Sequence, residues 1–393
     1  MSAPNPTWNT SSPKIRLVAL VVGLALGPVL YSLVAAPLDD FKPEDTALGQ
    51  DTNSFEAFFD GRRVSSRYPR EIPELVESWH ELAAEGREVL LWMGASQLHA
   101  VNQLGPEDQL AIYYANERAR TRGSRSAYLQ FSLPNANLHD LLGVYLRFRQ
   151  QGLKPQRLVL ALTYDDLREP GFNESSLRFL DPIPESWVEL GGAGVANLRE
   201  WQLAKEEVNA PVERTATSDT PQERLENHLV ETLEDHWRAY RSRGQILAFT
   251  KLKIFETLAA ARGGAMQRRA PPVPESQKLW NGLALDSLIA LTRHDGVELT
   301  IYQAPHPEGE KTFYHRREAY DVFFEQLVVR CERQGIHFVD LEPLVPTELW
   351  GLRGGNLDPF HFRDAGHRLL GAAIDEAIEK LGDGTEEDGN AVQ

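Results

Sequence analysis

Five times along this chain a short strand-like segment, continuously apolar in the clearest case, is followed by a stretch with helical spacing. That alternation constrains the fold more than any single residue. The segments lie at residues 87–94, 126–133, 156–164, 297–305 and 336–341. A continuous apolar run without period-two alternation is the mark of a strand buried on both faces, as in a parallel sheet. Helical spacing covers residues 71–86 before the first run. It recurs over 107–123, 137–152, 279–296 and about 312–334, and from Asp364 onward. The pattern predicts an α/β fold: a doubly wound, parallel, five-stranded sheet of flavodoxin-like, three-layer form with helices on both faces. Such sheets take ligands beyond the carboxyl ends of their strands. Residues that follow a predicted strand are therefore the first candidates for chemistry.

The α/β portion is expected over residues 71–170 and 280–381, and residues 171–279 interrupt it. The interruption starts with the Pro-rich FNESSLRFLDPIPESW, passes through ERTATSDTPQ, and holds one or two helices closed by Gly263 and Gly264. It reads as a mainly helical insertion, a cap or a partner-binding element; the alternative is a surface excursion without a role. Trp187 and Trp201 read as its core. Residues 382–393 are short and acidic and are expected to be disordered.

Residues 17–36 form about 20 uncharged apolar positions, the length that spans a bilayer as a helix. Lys14 and Arg16 precede the run, and Asp39, Asp40, Glu44 and Asp45 follow it. The basic flank predicts a cytoplasmic segment at 1–16, a transmembrane anchor at 17–36, a tether at 37–70 and an extracytoplasmic, periplasmic or extracellular, remainder. Cleavage after Ala36, which would release the protein, is the competing reading.

The 393 residues, 42% hydrophobic, are enough for a substantial core, and the net charge of −16 argues against a nucleic-acid partner. The single cysteine, Cys331, permits no intrachain disulfide and reads as a small core residue.

Two segments carry the chemistry. Ser96 leaves the first run through Gly94 and Ala95, and Asp358 stands three residues before His361, with Gly366 and His367 after it. An Asp three residues from a His on a short turn can accept the ring Nδ1–H, leaving Nε2 to take a serine proton. A helical start after Ser96 would add backbone N–H groups for a developing oxyanion. Ser96, His361 and Asp358 are thus the candidate nucleophile, base and orienting acid.

These residues resemble the SGNH/GDSL hydrolase superfamily of esterases and acyl-group transferases. Its nucleophile block is matched at Gly94, Ala95 and Ser96, and its D-x-x-H-x-x-x-x-G-[HY] block at Asp358, His361, Gly366 and His367. The resemblance covers roughly residues 86–170 and 280–380. It implies an oxyanion group at Asn135, Ala136 or Asn137, where the family carries a glycine. The family's oxyanion asparagine block is replaced here by Thr163, Tyr164, Asp165 and Asp166. The chain is also similar to the membrane-anchored subset that includes the D-alanyl-lipoteichoate transfer protein and the alginate O-acetylation proteins. That subset implies a membrane-bound O-acyltransferase as partner.

The expected function is hydrolysis or transfer of an acyl ester, acetyl above all, on a cell-surface polysaccharide or glycan, without cofactor or metal. Asn135, Asn137, Thr163, Asp165 and His306 are the candidate oxyanion or substrate contacts. His99 is a weaker candidate for the pocket, and Asp165 with Asp166 reads first as a turn. A metal at His361, Asp364 and His367 is the lesser reading, since His367 more readily packs the last helix. A missing oxyanion donor costs about 3 kcal/mol of transition-state stabilisation, which suits a slow transferase better than a fast hydrolase. The alternative is a non-catalytic SGNH-like scaffold that binds polymer or docks onto a membrane acyltransferase. A secreted lipase-like esterase is a third reading.

Overall fold

A computed structural model describes residues 57–99, 104, 107–168, 171–172, 177, 179–209, 272–309, 315–353 and 356–389. The expected anchor at 17–36, the Ala36 cleavage point, most of the tether and the insertion's centre (210–271) lie outside these residues. Among the described residues, no helix is long and apolar enough to cross a membrane.

The sheet is built from β1 (Ser65–Ser66), β2 (Glu88–Gly94), β3 (Ser126–Ser132), β4 (Arg157–Leu162), β5 (Glu298–Gln303) and β6 (His337–Asp340). Every pairing is parallel and the order is β1-β3-β2-β4-β5-β6. The last five strands follow the flavodoxin-like order, whose switch point lies between β2 and β4. The sheet thus has six strands rather than the five expected. The sixth, β1, is a two-residue edge strand inside the stretch read as tether; it is too short to carry a periodic signal. At the centre, Val89, Leu90, Leu91, Trp92 and Met93 of β2 are all buried, as are Leu158 to Leu162 of β4. Two covered faces explain the unbroken apolar runs.

Among the described residues the helices are α1 (Ile72–Ala84), α2 (Ala111–Arg122), α3 (Leu138–Gln150), α4 (Glu185–Gly191), α5 (Ala193–Asn209), α6 (Glu275–Asp295), α7 (Arg317–Gln334) and α8 (Asp364–Gly389). Helices α2 and α8 pack together, while α3, α5 and α6 pack as a second group. Arg149 of α3 grips Asp295 of α6 with two 2.8 Å hydrogen bonds and lies 4.2 Å over the Trp187 ring of α4. Trp201 of α5 meets Phe172. The described part of the insertion is therefore helical and packs onto the α/β layers. Helix α8 continues through Gly389, into the acidic tail expected to be disordered; no proline stops it.

A last element, an antiparallel hairpin of β7 (Trp350–Arg353) and β8 (Asn356–Phe362), lies outside the main sheet. Trp350 is buried, donates Nε1–H to the Val345 carbonyl at 2.9 Å, and meets Phe362 edge-on at 5.3 Å. This packing fixes the strand that carries Asp358 and His361.

Candidate active site

The turn that ends β2 is shaped by close packing. A Cβ at Gly94 would stand 2.7 Å from the Ala161 Cβ and 2.9 Å from Leu98 Cδ1, so only glycine fits between β4 and the turn. After Ala95 the chain makes a single 3-10 turn, Ser96–Leu98, the helical start expected there, and helix α2 follows at Ala111, within the 107–123 stretch read as helical. Gln97 is buried and donates Nε2–H to the Pro305 carbonyl at 2.9 Å, tying the turn to the exit of β5. Gln130 Nε2–H reaches the Leu98 carbonyl at 3.1 Å from below.

Asp358 and His361 lie on strand β8, not on the short turn expected. In a regular strand, side chains three apart point to opposite faces. Here Leu357 pairs with Leu352 and Phe362 with Trp350, so β8 spends extra residues between those two pairs. The resulting bulge turns both side chains to one side. Asp358 Oδ1 accepts from the Phe360 N–H at 2.9 Å, and Asp358 Oδ2 stands 2.8 Å from His361 Nδ1. His361 Nε2 is 3.1 Å from Ser96 Oγ. With Nδ1–H bonded to the carboxylate, Nε2 is left as the acceptor for the Ser96 hydroxyl. Asp358 is buried and His361 is nearly so, its side chain 12% exposed. Gly366 lets α8 start against this strand, since a Cβ there would stand 2.7 Å from Phe362 Cβ.

The remaining candidates divide. Asn135 is exposed at the turn after β3, with φ of 52° in the left-handed region. Asn137 is not free to meet an oxyanion. Its Oδ1 accepts from the Asp140 N–H at 3.0 Å, in the capping box of α3, and its Nδ2–H donates to the Gly171 carbonyl at 2.9 Å. Asparagine is among the best N-caps, and here that role consumes the side chain. Thr163 likewise caps the turn Tyr164–Leu167, where Asp166 Oδ2 accepts the Thr163 N–H at 2.8 Å. Asp165 faces Arg168 and His315, each at 3.4 Å. His306 is buried rather than solvent-facing, its ring 6.0 Å from Tyr320 and 6.5 Å from Trp350.

His99 is buried, with Nδ1 2.8 Å from Ser132 Oγ, and His367 is buried edge-on against Phe362 at 4.6 Å. The spacing of residues gave no sign of Gln97 or His315; both matter only through contacts far along the chain.

Desolvation sets the electrostatics around the turn. It pushes His367 down to about 3, His306 and His139 to about 4, and His99 well below the usual histidine range. It raises Asp166 to about 7. A histidine whose pKa is lower folded than unfolded contributes stability at pH above 6.5, and that stability is lost as pH falls towards the folded value. Each such group gives a slope of up to about 1.4 kcal/mol per pH unit. Asp166 has the opposite sign: its contribution is full below about 4 and is lost as pH rises through 7. Four histidines outweigh one carboxyl, so the urea midpoint is expected to fall steeply from pH 6.5 to pH 4. A midpoint that is flat or rising over that interval would contradict the burial of these rings.

No family model matches the sequence, and no curated protein matches it. Among solved structures the chain is similar to a GDSL-like lipase from Bacteroides thetaiotaomicron. The identity is 12%, over 79% of this chain and 100% of that one, with a TM-score of 0.33. It is also similar to an α/β hydrolase enzyme from the metagenome of Lake Arreo, Spain. There the identity is 12%, over 74% and 94% of the two chains, with a TM-score of 0.34.

Proposed function

We propose that this protein is an SGNH-like serine acyl-ester hydrolase or O-acyltransferase. The observation that carries the reading is the unbroken hydrogen-bond line from Asp358 through His361 to Ser96. As Ser96 Oγ attacks an acyl carbonyl, its proton passes to His361 Nε2, and Asp358 stabilises the imidazolium that forms. The carbonyl oxygen becomes an oxyanion, for which the Ser96 amide at the start of its turn would be one donor and a group of the Asn135 turn a second. Collapse expels the alcohol, which takes the proton from His361. Water, or a second hydroxyl, then attacks the acyl-Ser96 ester by the same route in reverse.

The expected substrate is an acetylated cell-surface polysaccharide or glycan. The apolar run at 17–36 supports an anchored, extracytoplasmic protein, and the resemblance to the membrane-anchored subset suggests a membrane-bound O-acyltransferase as its partner. One observation favours the second reading, a non-catalytic scaffold: the polar groups of Asn137 and Thr163 are spent on capping, leaving a sparse oxyanion site. A fluorophosphonate probe separates the two. Rapid covalent labelling supports the enzyme, and an unmodified protein after prolonged exposure supports the scaffold.

A further inference from the structure

The chain carries 57 acidic and 41 basic residues, so a cation without an acidic neighbour stands out. Arg63, Arg122, Arg149, Arg157, Arg317 and Arg330 each face a carboxylate. Arg67 faces none among the described residues, although it is only half exposed; its guanidinium lies 4.5 Å over the Tyr68 ring. A half-buried guanidinium held against an aromatic ring, with no carboxylate beside it, keeps its N–H donors for an anion.

Its place in the sheet says where such a ligand would sit. Ser66 of β1 pairs with Phe131 of β3, so Arg67 falls level with Ser132, and Ser132 pairs with Gly94 of β2. Arg67, Ser132 and Gly94 thus form one row across the carboxyl edge, two residues short of Ser96. Two strand spacings put the Arg67 backbone about 10 Å from Gly94, a gap that an extended guanidinium side chain largely bridges. His99, bonded to Ser132 in the same row, feels the Arg67 charge.

We propose that Arg67 binds an anionic substituent, a carboxylate or a phosphate, on the acyl ester that approaches Ser96. The planar fork of arginine matches either anion through paired N–H donors. This inference takes the place of the ester from the proposed function, but binding can be measured without turnover.

Calorimetry on the Ser96→Ala protein would compare three ligands: acetylated trigalacturonate, 1-acetylglycerol 3-phosphate and neutral acetylated xylotriose. The protein is expected to prefer at least one anionic ligand over the neutral one, and the stronger of the two identifies carboxylate or phosphate as the group read. Adding Arg67→Gln should cut that preference about tenfold or more, the effect of losing a charge-assisted hydrogen bond. Arg67→Lys should retain part of it, and added salt should weaken it. No anionic preference before the Arg67 substitution, or an Arg67→Gln loss equal for charged and neutral ligands, would overturn the proposal. If anion preference holds while the unsubstituted protein neither hydrolyses 4-nitrophenyl acetate nor takes up a fluorophosphonate, the ester reading falls and the Arg67 site stands.

Discussion

Replacing Ser96 with alanine is expected to lower turnover of 4-nitrophenyl acetate by about 1,000-fold or more, while leaving the folded protein intact. The hydroxyl stands 3.1 Å from His361 Nε2, placed to form the acyl intermediate, so its loss removes the covalent route proposed. The structural cost is small. Ser96 is partly exposed at a turn, and its hydroxyl meets His361 rather than the core. A melting temperature within a few degrees of the parent's, together with collapsed turnover, is the expected pair of results. Retained turnover would move the nucleophile elsewhere.

The second large effect concerns Asp358. Its carboxylate receives the Phe360 amide on Oδ1 and the His361 ring on Oδ2. In Asp358→Asn the new side chain has one acceptor for two donors. If its oxygen keeps the Phe360 amide, its NH2 must face His361 Nδ1, which drives the ring proton to Nε2. A protonated Nε2 cannot take the serine proton. Loss of the correct tautomer is worth up to about 10,000-fold in kcat with little change in fold. Because Asp358 is buried, an alanine there would also strip the Phe360 amide of its partner, so asparagine is the cleaner probe. A fall in kcat with KM nearly unchanged is expected. A pure KM effect would mean that Asp358 shapes binding rather than the base.

The parts of the fold legible in the sequence were those whose signal is local and repeated. β2 and β4 announce themselves because both faces are covered, so no polar residue interrupts Val89 to Met93 or Leu158 to Leu162. Strand β1 was hidden because two serines at a sheet edge carry no apolar signal; they are strand only by pairing with Gln130 and Phe131. Asp358 and His361 do stand 2.8 Å apart, but on a strand and not on the turn their spacing suggests. A three-residue gap suggests a turn, and only the bulge opposite Trp350 and Leu352 lets a strand serve.

Asn137 shows the opposite limit. An asparagine after a strand suits an oxyanion contact and a helix cap equally well by type, and the Asp140 amide decides between them. Gln97 and Arg67 could not be singled out, since each acts through residues met only in three dimensions: Pro305 in one case, the Ser132 row in the other.

The proposed chemistry depends on activation of Ser96 by a histidine 265 residues away in the sequence. Peptide mapping after fluorophosphonate treatment tests it most directly. The adduct should sit on Ser96, and the His361→Ala protein should label far more slowly at that residue. An adduct on another residue, or Ser96 labelling at the same rate without the imidazole, would contradict the account.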